Sequence, residues 1–147
     1  MKKDLYKELI NKQSKEVNNF PMMFAFSDLQ FNEGMIKLGL DPKDINKIIS
    51  IGSGGFVKKT DLIAVNKMGE RHAKELKENI ENDKNGQGYV YDMFHNELIN
   101  HEYDCTYDVK DALNSLNLTE DDINKDFKLK YALNKACNNI KREESDY

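Results

Sequence analysis

Apolar residues near the start of the chain recur at helical spacing. Tyr6, Leu9, Ile10 and Val17 approximate one face, while Lys3, Lys7, Lys12 and Lys15 occupy the other. This predicts an amphipathic helix over residues 3–18. Pro21 ends it, because proline biases Phe20 towards extended geometry. Met22-Met23-Phe24-Ala25-Phe26 then runs without a polar interruption. The run is too short for a buried helix and predicts a covered strand or extended core segment, with Phe24 and Phe26 buried. Ser27 and Gln30 have capping-box spacing, so a helix should begin at Asp28, with Phe31, Met35 and Leu38 as its apolar stripe.

Gly39 stops that helix, and Asp41-Pro42 predicts a further helix with a capping residue and a proline at its first position. The stretch Leu38-Gly39-Leu40-Asp41 through Lys47 resembles Leu116-Asn117-Leu118-Thr119 through Lys125. Ile48 to Thr60 reads as a small hairpin whose tip is Gly52-Ser53-Gly54-Gly55. Thr60 caps a long helix to about Asn82, on which Val65, Met68, Leu76 and Ile80 share a face with His72. The breakers between Asp83 and Gly88 precede YVYDMFHNELINHEY, whose Val90, Phe94 and Leu98 should face inward. A short helix around Val109–Leu116 and a longer one after Thr119, carrying Leu129, Leu133, Ala136 and Ile140, complete the pattern. It ends in a charged, fraying KREESDY. The fold expected is a mainly α, compact single domain over residues 1–147 with a small β-hairpin and frayed termini, α+β being the alternative.

Composition narrows the class. The chain is 39% apolar and 33% charged, too apolar for disorder. No apolar window approaches the ~20 residues of a membrane helix, and the N-terminal residues lack a signal-peptide pattern, so no membrane partner and a cytoplasmic location are expected. Cys105 and Cys137 lack metal-type or redox-type spacing and read as reduced thiols. No cofactor or metal is expected. Asp122, Asn124 and Asp126 match the first ligand positions of an EF-hand loop, but Phe127 and Leu133 stand where its glycine and closing glutamate belong. No catalytic residue is assigned: Glu97–His101 and Asp92–His95 have the spacing of helical neighbours, yet no nucleophile or zinc motif accompanies them.

The net charge of −4 is unevenly spread. Asp92–Asp126 holds ten acidic residues against Lys110 and Lys125, a net of −8, leaving the rest at +4. Such a field steers encounters with a basic partner. Asp104, Asp108, Asp111, Glu120, Asp121 and Asp122 are therefore the expected partner-binding residues, presenting carboxylates to a basic protein surface such as a nuclease channel. The alternative is nucleotide or nucleic-acid binding at an anion nest formed by Gly52, Ser53, Gly54 and Gly55 with Lys58 and Lys59. Walker spacing fails there, since Val57 and Lys59 stand where glycine and Ser/Thr are needed. Nucleic acid is not the expected partner, because the helices that would read it are acidic where they would meet phosphates.

Together, PMMFAFSDLQFNEGM, IGSGGFVKKTD and YDMFHNELINHEY resemble small uncharacterised proteins of Gram-positive bacteria and their phages, over roughly residues 15–140. The resemblance implies a phage or mobile-element setting, in which small acidic inhibitors of host nucleases recur. The function expected is thus a non-enzymatic binding protein, an inhibitor of a nucleic-acid-processing defence enzyme.

Overall fold

A computed structural model describes residues 2–145; Met1, Asp146 and Tyr147 lie outside the described residues. The protein is mainly α with a small antiparallel sheet. It divides into two compact units, one of residues 1–12 with 75–147 and one of residues 13–74. The divisions fall within α1 (Leu5–Asn19) and within α3 (Leu62–Asn82). Among the described residues no helix is long and apolar enough to cross a membrane.

In the first unit the core is built around α4 (Tyr89–Asn100). Its Val90, Phe94 and Leu98 are fully buried, as their spacing predicts. They meet Ala132, Leu133, Ala136 and Ile140 of α8 (Phe127–Ser145). Tyr6 of α1 joins them, its ring edge-on to Tyr89 at 5.7 Å. Three short helices, α5 (Tyr103–Thr106), α6 (Lys110–Ser115) and α7 (Glu120–Lys125), supply Tyr103, Ala112, Leu113 and Ile123.

Such short helices depend on their caps. Thr119 and Asp122 form a reciprocal capping box on α7, worth about 1 kcal/mol when a single cap is removed. The chain then breaks at Asp126, whose Oδ1 accepts from the N–H groups of Lys128 and Leu129 and opens α8. The longer helix expected after Thr119 is therefore two. Asp83 serves α4 in the same way, its Oδ2 accepting from Gly88 N and Val90 N at 3.1 and 2.9 Å. Of the KREESDY end expected to fray, residues 141–145 continue α8, and Asp146 and Tyr147 lie outside the described residues.

The second unit holds the sheet, ordered β1-β3-β2, with every pair antiparallel: β1 (Met22–Phe24), β2 (Ile48–Gly52) and β3 (Gly55–Lys58). The β2–β3 connection has the two-residue loop that the glycines predict. Ser53 and Gly54 both have positive φ, 51° and 78°, as a type I′ turn requires. On one face of the sheet, Met23, Ile48 and Phe56 pack with Met35, Leu38, Phe31 and Leu40 beside α2 (Asp28–Lys37). Gly34 makes that packing close, because a Cβ there would come within 2.2 Å of the Met23 sulfur. Helix α2 starts at Asp28 as expected, with Ser27 Oγ accepting from Gln30 N.

Two expectations are corrected here. Asp41-Pro42 starts no α-helix; the chain makes a turn and a single 3-10 turn over Ile45–Lys47. Few residues separate Asp41 from β2, too few to offset helix nucleation. The two Asp side chains also take backbone donors locally: Asp41 accepts from Lys43 N, and Asp44 from Asp41 N. The second correction concerns the apolar run. Phe24 is 53% exposed and Phe26 77% exposed, where both were expected in the core. The strand's inward residue is Met23. Side chains alternate across a strand, so burying Met23 turns Phe24 to the opposite face, at the end of a strand only three residues long.

Candidate functional site

The exposed phenylalanines are held in place by the hairpin beneath them. The Phe24 ring lies over Gly55 beside Ile51: a Cβ on Gly55 would stand 3.1 Å from Phe24 Cε1 and 3.0 Å from Ile51 Cγ1. Phe26 lies over Gly54, where a Cβ would come within 2.5 Å of its ring. The hairpin glycines therefore do two things. Gly54 supplies a positive φ, and both leave room for aromatic rings on the surface. Phe26 N donates to Gln30 Oε1 at 2.8 Å, and Ala25 N to Gly54 O at 2.9 Å. Phe24, Phe26 and Ile51 form an apolar surface on a hydrogen-bonded frame.

Beside this surface runs a groove of about 390 Å³. One wall is Met22, Met23, Phe24 and Phe26; the other is Gln30, Glu33, Gly34 and Lys37, one stripe of α2. No residue of β3 lines it, so it follows the edge of β1 that faces away from the sheet. Among the described residues no strand pairs with that edge. The backbone hydrogen bonds left unmade there follow from the ladder. Ala25 donates towards β3, and Met23 stands two residues away in the same register, so Met22 and Phe24 direct their N–H and C=O groups outward. An extended segment can satisfy such groups in a way that a small apolar ligand cannot.

The six acidic residues expected to bind a partner all lie in the first unit, on or beside α5, α6 and α7. Two of them have local duties. Asp122 is the capping-box residue of α7, and the hydrogen bond from Thr119 N holds its carboxyl below the usual range. Asp108 Oδ1 accepts from Lys110 N at the start of α6. Asp111, Glu120 and Asp121 are exposed and Asp104 is half-buried.

The glycine loop and its lysines are not brought together. Ser53 and Gly54 form the hairpin tip, and Gly52 N donates to Ser50 Oγ. Lys58 ends β3, about 10 Å along the strand from Gly55. Lys58 and Lys59 instead line a separate cavity of about 380 Å³ with Leu40, Asn46, Lys47 and Thr60.

Glu97 and His101 do meet, Nε2 to Oε2 at 3.4 Å, but the carboxylate is committed elsewhere. It accepts from Tyr6 Oη at 2.8 Å, and Ser115 Oγ, also at 2.8 Å, shares its single proton between this carboxylate and Ala112 O at 2.6 Å. Three groups converge on the one carboxylate, which ties α1, α4 and α6 together. Asp92 accepts from Leu5 N at 3.0 Å, and its Oδ1 stands 3.9 Å from Lys2 Nζ; His95, near enough to attract the carboxylate, stacks on Tyr91. Burial pushes the Asp92 carboxyl above its ordinary range, opposed by that hydrogen bond. Among the described residues no group of three or more His, Cys, Asp or Glu is placed to hold a metal ion. Sequence reasoning missed the exposed phenylalanines as surface residues. The signal available was the strand's shortness and the two glycines across from it.

Fold and site define a mainly α protein with a three-stranded sheet, bearing an apolar surface and an open strand edge. The family of unknown function DUF7659 matches residues 5–139, and the chain belongs to that family. No curated protein and no solved structure matches it.

Proposed function

We propose that the chain is a non-enzymatic protein-binding module whose contact surface is Phe24, Phe26 and Ile51 with the adjoining groove between β1 and α2. The observation that carries this is the exposure of Phe26, 77%, on a ring seated over a turn glycine. Large aromatic side chains on a rigid frame are the usual anchors of protein interfaces, each losing little conformational freedom on binding. The surface thus takes over the role expected of the acidic segment. Asp111, Glu120 and Asp121 retain the part that exposed charge plays best, speeding encounter with a basic partner. The phage setting implied by the resemblance makes a host enzyme that processes nucleic acid the partner class to seek at Phe26, which lies beyond the end of β1.

The test is a photoreactive phenylalanine analogue at position 26, irradiated in cells that express the protein. A protein adduct is expected from position 26 and none from a control position at exposed Lys43. Equal labelling from both positions, or none from either, overturns the reading.

A further inference from the structure

We infer that the open edge of β1 pairs with the β1 edge of a second copy, joining two three-stranded sheets into one of six strands. The inference rests on the protein-binding reading of this surface and names the occupant of its groove. Three observations point to a second copy.

First, β1 is self-complementary in register. Met22 and Phe24 direct their backbone groups outward on either side of Met23, so a two-fold axis through Met23 sets Met22 opposite Phe24 of the second copy. Each of the two Met22–Phe24 pairs exchanges two hydrogen bonds, four in all, and every outward group of the strand is used.

Second, the side chains match in the same register. Met22 and Phe24 lie on the same sheet face, so each thioether meets the other copy's ring, a favourable sulfur–aromatic contact. Phe24, exposed in the single chain, is covered by the pairing.

Third, charge is complementary. Helix α2 has Asp28 in its first turn, Glu33 near its middle and Lys37 in its last turn. The same axis runs two α2 helices antiparallel along the joined sheet. Lys37 of each then lies towards the acidic half of the other, and the helix dipoles oppose favourably. A strand edge with neither proline nor lysine in it, next to exposed aromatic residues, also lacks the usual protections against such pairing.

Sedimentation equilibrium across a range of chain concentrations provides the test. Twice the chain mass is expected, in reversible equilibrium with monomer. Phe24→Pro removes one outward N–H in each copy without touching the ladder to β3, and should shift the protein to monomer with an unchanged far-ultraviolet spectrum. Should that variant misfold, Lys37→Glu gives a second reading. It should weaken the dimer at least tenfold, and adding Asp28→Lys and Glu33→Lys should recover most of the loss. A monomer at every concentration overturns the inference, as does a dimer indifferent to Lys37→Glu. A monomeric protein whose position 26 still cross-links to a different protein overturns the second copy alone and leaves the protein-binding reading standing.

Discussion

At the scale of single residues, the structure turns charge and hydroxyl positions into measurable stability. Asp92 is buried, and burial raises its carboxyl pKa in the folded chain above the unfolded value near 4. The folded state therefore holds the proton more tightly. The corresponding stability is complete below the unfolded pKa and is lost as pH rises through the folded one. Asp92→Asn keeps an acceptor for Leu5 N and removes the titration. The variant should gain on the parent as pH climbs from about 4 and level off above the folded pKa, read from urea midpoints at a series of pH values. Tyr6→Phe tests the convergence on Glu97. It removes one of two hydroxyl donors to a largely covered carboxylate, and should cost about 1.5 kcal/mol. The loss falls at the low end for a charged acceptor because Ser115 Oγ and His101 Nε2 remain beside the carboxylate.

At the scale of elements, the near-repeat of the sequence has a physical meaning that the residues alone did not disclose. Leu38-Gly39-Leu40 and Leu116-Asn117-Leu118 end α2 and α6 in the same way. Leu40 N donates to Met35 O as Leu118 N does to Leu113 O, and Gly39 and Asn117 both have positive φ. This is the Schellman arrangement, and each second leucine packs against the apolar cluster that holds the residue accepting its N–H. Beyond these stops the two segments diverge. Thr119 finds its reciprocal partner in Asp122 and starts a helix, whereas Asp41 caps only a turn. The pattern was legible as a helix stop, and only in the second instance as a new start. Among the described residues no neighbouring atom stands within 4 Å of a Cβ on Gly39, so Gly39→Ala isolates the conformational penalty. It should destabilise by about 1–2 kcal/mol in chemical denaturation.

At the scale of the whole molecule, periodicity was a good guide wherever a helix is long enough to show a face. Val90, Phe94 and Leu98 lie where their spacing places them, and so do Met35 and Leu38. It failed in β1, because three residues cannot establish which side of a strand faces in, and an unbroken apolar run fits either choice. Whether β1 had a free edge was beyond reach for the same reason: strand order depends on contacts between residues far apart in the chain. The contrast is measurable. Phe94→Ala should cost about 3–5 kcal/mol, while Phe24→Ala, at a half-exposed ring, should cost less than about 1 kcal/mol under monomeric conditions.

The buried tyrosines set an alkaline limit on the fold. The chain has seven tyrosines and no tryptophan, so its near-ultraviolet absorbance tracks phenol ionisation. Burial raises the phenol pKa of Tyr6, Tyr89 and Tyr103, and the Glu97 carboxylate adds to the effect at Tyr6. The Tyr89 hydroxyl, buried without a hydrogen-bond partner among the described residues, has nothing there to stabilise a phenolate. Each of these groups keeps its proton in the folded chain and releases it near pH 10 in the unfolded one. Above that pH the three together remove about 4 kcal/mol of stability per pH unit, against a total of roughly 5–15 kcal/mol for a domain. An alkaline spectrophotometric titration should therefore show a late, steep, cooperative step in which Tyr6, Tyr89 and Tyr103 ionise together with loss of the helical circular dichroism. Ionisation of all seven along a single shallow curve, with the helices intact, would contradict this account.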